Sequence, residues 1–128
     1  MILEPDGVSI SVGSPVVVYL QAPKEKMWGI LVSVTTAGLT VRGLDLRVFD
    51  DWMRQEARDD DALIGVNSIF FPMHRIERME LDETVGSILG YAARFEEHVG
   101  RSASRAIGWT AAASRPPRSV PRRRRSKR

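Results

Sequence analysis

Between Pro15 and Gly43 the chain alternates dense apolar runs with short polar breaks, the rhythm of a β meander. Val16 to Leu20 is an unbroken, mostly β-branched run behind Pro15, the pattern of a strand covered on both faces. Pro23 ends it. Lys24, Glu25 and Lys26 then read as a turn, and Trp28 to Val34 resumes the strand pattern. Gly29 lies inside that second run, where glycine marks a bend or a close approach of two backbones. Thr35 to Gly38 reads as a second turn, with Gly38 free to take a positive φ, and Leu39, Val41 and Gly43 alternate with Thr40 and Arg42 in a third strand. Ahead of the meander, Val8 to Val12 alternates with Ser9 and Ser11, which fits an edge strand or an ordered arm over residues 1–14.

The period changes after Gly43. Val48, Trp52, Glu56 and Ala57 share helical spacing, Phe49 and Met53 sit beside them, and Asp45 is placed to cap, so a short helix is expected over Leu46–Arg58. Asp59, Asp60 and Asp61 oppose the dipole at its C-terminus and end it. Asn67 to Leu81, NSIFFPMHRIERMEL, favours strand up to Phe71 and carries Pro72, a residue for an edge or a bulge. One long bent strand, or two, is expected there. Beyond Glu83 the spacing of Ile88, Ala92, Phe95 and Val99 is helical, with Thr84 to cap the start and Gly100 to close the end. This C-terminal helix would cover an open end or edge of the sheet.

Composition adds one folded domain and one tail. The 128 residues have a 43% hydrophobic fraction, enough for a modest core, and no apolar run reaches the roughly 20 residues of a membrane helix. The start MILEPDGVSIS lacks a basic region ahead of an apolar stretch, so a cytoplasmic protein with no membrane partner is expected. Absence of cysteine removes disulfides, thiol catalysis and thiolate metal sites. The formal net charge of +3 hides a division: residues 1–100 hold nine basic residues against sixteen acidic ones, and residues 101–128 hold ten basic residues and no acid. The body is acidic and the tail is basic. RPPRSVPRRRRSKR combines proline with repelling charge, so residues 101–128 are expected to be disordered.

Val16 to Gly43 resembles the first motif of the Sm-like family: an apolar strand ending in Tyr-Leu, VVVYL, a short polar turn, then Gly29, Ile30 and Leu31 as Gly-x-Leu in the second strand. FFPMHRIERM is similar to the second motif of the Hfq branch, in which a His is followed two positions later by Ile, here His74 and Ile76. Any small SH3-like barrel shares such strands. The chain departs from the family in having no helix signal before the first strand, no acid in SVTTAGL, a helical insert at Leu46–Arg58, and Met73 where the family has lysine. The resemblance implies a mainly β fold over residues 15–100: a small, strongly bent Sm-like or SH3-like barrel with an inserted short helix and a C-terminal helix. It further implies ring assembly with copies of itself, single-stranded RNA as partner and a role in post-transcriptional regulation.

The candidate chemistry is that of binding. His74 and Arg75 would stack on a base and hold a phosphate, as the resemblance implies, although a lone His on a strand is as a rule an ordinary surface residue. Lys24 and Lys26 at a hairpin tip can touch a nucleic-acid backbone, or simply be solvated. Trp28, Trp52, Phe70 and Phe71 could form a stacking platform but serve a domain of this size better as core. Asp50, Asp51, Asp59, Asp60 and Asp61 lack the alternation, central Gly and closing Glu of a Ca²⁺ loop, so no metal or cofactor is expected. No nucleophile or P-loop signature appears, which points to a non-enzymatic protein. Arg122, Arg123, Arg124, Arg125, Lys127 and Arg128 are the densest charge in the chain and would give non-specific, salt-sensitive affinity for phosphates. The alternative reading is a protein-interaction adaptor meeting a protein partner through an edge strand or the Trp52 helix.

Overall fold

The computed structural model describes residues 9–58 and 63–109. The acidic run Asp59–Asp61 and the Arg-rich stretch Arg122–Arg128 lie outside them, as does Val8. Five antiparallel strands, β1 (Pro15–Leu20), β2 (Glu25–Thr35), β3 (Gly38–Asp45), β4 (Asn67–Pro72) and β5 (Ile76–Leu81), form one sheet in the order β4-β3-β2-β1-β5. Helices α1 (Phe49–Arg58), α2 (Tyr91–Val99) and α3 (Ala103–Ala106) complete the mainly β fold. The expected helical insert is present as a single 3₁₀ turn, Leu46–Val48, running into α1, and the Asp45 carboxylate caps it by accepting from the Arg47 N–H at 2.8 Å.

The sheet is strongly coiled, and the connections prove it. β4 and β5 are its two edges, which a flat sheet would hold about 19 Å apart. Only the 3₁₀ turn Met73–Arg75 joins them. That turn also touches both ends of the 11-residue β2: the Met73 N–H donates to Ala37 in the β2–β3 turn, and Arg75 accepts from the Gln21 N–H just past β1, each at 2.8 Å. No β4–β5 ladder closes the sheet, so it remains open.

Coiling demands that backbones approach closely where β2 crosses β3. Gly29 faces Gly43 there, and a Cβ on Gly43 would overlap the Trp28 carbonyl. The close-approach reading of Gly29 therefore holds. Gly38 differs from expectation. It does not take a positive φ; glycine is required because a Cβ would strike the Phe71 carbonyl on the neighbouring strand.

Alternation along the strands builds two cores. On the concave face Val16, Val18, Leu20, Met27, Leu31, Leu39, Val41 and Phe71 are buried together. On the convex face Val17, Trp28, Ile30 and Leu44 meet Phe49, Trp52, Met53 and Phe95 from the helices. Trp52 and Phe95 stack with ring centroids 4.6 Å apart, tying α1 to α2. Thus Trp28, Trp52 and Phe71 are core, whereas Phe70 points outward and is 52% exposed.

Of the two alternatives for the N-terminal segment, residues 9–14 take the arm and form no strand, held to β2 by Gly13 N–H to Leu31 carbonyl (2.8 Å) and Leu31 N–H to Ser14 carbonyl (2.9 Å). Two further expectations are corrected. The C-terminal helix begins at Tyr91, not near Thr84, because Asp82 rather than Thr84 satisfies its first amides: the carboxylate accepts from Tyr91 N–H (2.6 Å) and Ala92 N–H (2.8 Å). It lies on the convex face against α1, not over an end or edge. Finally, residues 101–109 belong to the fold instead of to a tail. Ala103 and Ile107 are buried in the convex core, and the Ile107 carbonyl accepts from Arg42 Nε at 2.6 Å.

Candidate nucleic-acid interface

Coiling brings the sequence-predicted body residues to one end of the sheet. Lys24 lies in the β1–β2 turn, Lys26 is the second residue of β2, and His74 and Arg75 occupy the 3₁₀ turn after β4. Four hydrogen bonds join the two turns across some fifty positions of sequence. Gln21 Nε2 donates to the His74 carbonyl (3.0 Å), Arg75 Nη1 donates to the carbonyls of Gln21 and Pro23 (3.2 Å each), and Gln21 N–H donates to the Arg75 carbonyl.

Arg75 and His74 divide the work expected of them. The Arg75 guanidinium completes its set with Glu25 at 2.8 Å, and its side chain is only 18% exposed. It pins the hairpin tip rather than standing open to a phosphate. The His74 imidazole is exposed and has no hydrogen bond among the described residues.

Beside this junction a cleft of about 650 Å³ opens on the convex face, bordered by Lys24, Lys26, Arg47, Arg78, Tyr19 and Tyr91 among others. Arg47 and Arg78 were not singled out by sequence, because each reaches the cleft through a register that no local pattern prints. Tyr19 pairs with Arg78 across β1 and β5 and with Lys26 across β1 and β2. Its ring carries the Arg78 guanidinium at 3.9 Å and the Lys26 ammonium at 5.6 Å.

Acids in the cleft are mostly engaged. Glu25 is held by Arg75, and Asp45 by Arg47 at 2.9 Å. Arg47 hydrogen bonding holds the Asp45 carboxyl below the usual aspartate value, against partial burial that acts the other way. Burial, and then the hydrogen bond its hydroxyl donates to Glu80 (3.1 Å), push Tyr19 above the usual phenol value, so it stays neutral at pH 7. The arrangement is four cations, two tyrosine rings and the carboxylates of Glu25, Asp45 and Glu77 around a concavity, with Arg47 and Arg78 paired to Asp45 and Glu80. It can hold phosphates and bases, and it offers no nucleophile–base pair.

Six arginines of the described body, Arg47 and Arg78 of the cleft among them, are tied to carboxylates: Arg47, Arg54, Arg75, Arg78, Arg94 and Arg101. Among the described residues no three of His, Cys, Asp and Glu gather as a metal site, and no helix is long and apolar enough to cross a membrane. Compared with protein-family models, curated proteins and solved structures, the chain gave no match.

Proposed function

We propose that this protein is a non-enzymatic, single-stranded RNA-binding domain of Sm-like type, which captures RNA electrostatically through its Arg-rich C-terminal segment and holds it in the cleft beside His74. A net-acidic body repels a polyanion unless its cations share one face. The observation that carries the reading is that four of them do: Lys24, Lys26, Arg47 and Arg78 border one cleft, whose Glu25 is tied by Arg75 to the turn that carries His74. The five coiled antiparallel strands support the family reading, since its members are strongly bent five-stranded barrels. The convex helices are this chain's own departure.

Lys24 and Lys26 contact phosphates, and each contact releases counterions and steepens the salt dependence. Arg78, laid over Tyr19, and the exposed His74 supply flat groups for bases. Residues 110–128, with eight basic residues and no acid, add affinity without sequence preference. The test is fluorescence anisotropy of a labelled single-stranded RNA with the full chain, a chain ending at Trp109, and Lys24→Glu/Lys26→Glu in each. The chain ending at Trp109 should retain weaker, salt-dependent binding that the double substitution abolishes. Binding by the C-terminal segment alone would refute the cleft.

A second reading, a protein-interaction adaptor, draws on a different observation. Among the described residues β4 and β5 each leave an edge unpaired, and Val85 and Ile88 stand 64% and 73% exposed just beyond β5. If the chain ending at Trp109 binds no RNA, this reading takes precedence.

A further inference from the structure

β5 ends the sheet beside β1, and among the described residues no strand pairs with its outer side. Register fixes which groups it offers. Val16 faces Leu81 and Val17 faces Glu80, and the Asp82 N–H donates to the Pro15 carbonyl at 2.8 Å. In an antiparallel pair the hydrogen-bonded residues recur at every second position. Arg78 and Glu80, in step with Asp82, therefore turn their backbone groups toward β1, and Met79 and Leu81 turn theirs outward; at Glu77 the β1–β5 register shifts and the alternation breaks. The Arg78 and Glu80 side chains are about half exposed, 53% and 49%, and are bonded to one another at 2.9 Å.

We propose that β5 pairs antiparallel with β5 of a second copy about a twofold axis at Met79. Met79 then faces its counterpart as a hydrogen-bonded pair. Arg78 of each copy stands directly opposite Glu80 of the other, in the non-hydrogen-bonded position where side chains come closest. Charge selects this register. Centring the pair on Glu77, Arg78 or Glu80 opposes each of these to itself, and centring it on Leu81 sets Glu80 against Asp82. Centring on Glu80 would also face Arg78 with Asp82, but only while setting Glu80 against itself; of these registers the Met79 one alone faces opposite charges with no like-charged pair beside them.

The surface beside the edge fits the same occupant. A groove of about 770 Å³ runs along it, lined by Ile10, Leu81, Val85, Ile88, Leu89 and Tyr91 among others. Val85 and Ile88 stand in water there until a second copy covers them. A twofold contact is self-complementary and closes at two copies, so neither a filament nor a larger assembly grows through this edge.

Light scattering of the full chain over a range of concentrations tests the pairing. The wild type should reach twice the mass of one chain. Arg78→Glu, which sets acids against acids, should halve that mass while thermal melting shows the fold intact, and Arg78→Glu with Glu80→Arg should restore it. A single-chain mass for the wild type, a ring mass, an Arg78→Glu protein that stays paired, or a double variant that stays single would each overturn the proposal.

Discussion

Asp82 is a carboxylate on which three parts of this fold converge. It accepts from the Trp28 indole N–H at 3.0 Å as well as from the first two amides of α2, so one side chain joins the sheet, the convex core and a helix start. Asp82→Ala leaves three donors without partners, and each unsatisfied donor costs on the order of 1–3 kcal/mol before water relieves it. Urea unfolding should show a loss of about 3 kcal/mol. A loss no larger than that of a surface substitution would contradict this role. Asp45 makes the pH-dependent case. Its folded pKa is depressed, chiefly by Arg47, so its contribution is present above the ordinary aspartate value and is lost as pH falls through the folded one. The stability gap between wild type and Asp45→Asn should therefore be full at neutral pH and shrink below about pH 4. A gap that is constant with pH would exclude the linkage.

At the level of elements, local periodicity was legible and distant partners were not. The meander and the helical insert follow from residues near one another in sequence, and their boundaries fall within a few positions of expectation. The start of α2 does not, because its cap is nine positions upstream of Tyr91 and Thr84 looks locally like the better candidate; Thr84 in fact accepts only from the Gly90 N–H at 3.2 Å. Ile107 was illegible for a related reason. After a helix-ending glycine the only periodic partner of Ile107 is the small Ala103, four positions before it, too weak a signal to mark a helix, yet Ile107 is 2% exposed. Deleting everything after Gly100 removes Ala103 and Ile107 from the convex core and leaves the Arg42 guanidinium with Ser68 as its one remaining hydrogen-bond partner among the described residues. A chain ending at Gly100 should lose about 3 kcal/mol relative to one ending at Trp109, measured by chemical denaturation. Equal stability would return residues 101–109 to the status of a tail. Phe95→Ala, which breaks the stack on Trp52, should cost about 3–4 kcal/mol by the same measurement.

Across the whole molecule, coiling of the sheet is what turns scattered residues into a site. Lys24, Lys26, His74 and Arg75 were legible as candidates because they sit in turns and in a motif that resembles a known family. Arg47 and Arg78 needed the strand order, and the structural use of Arg75 needed the contact between two turns. The division of charge was plain in the sequence, but whether an acidic body gathers its cations on one face is a three-dimensional property. The central claim is that this face receives RNA. It is tested most directly by following the backbone amide NMR signals of the full chain as a short single-stranded RNA is added. The account predicts shifts at Gln21–Lys26, Arg47 and Met73–Arg78 that weaken with salt. Shifts restricted to residues beyond Trp109, or none at all in the body, would contradict it.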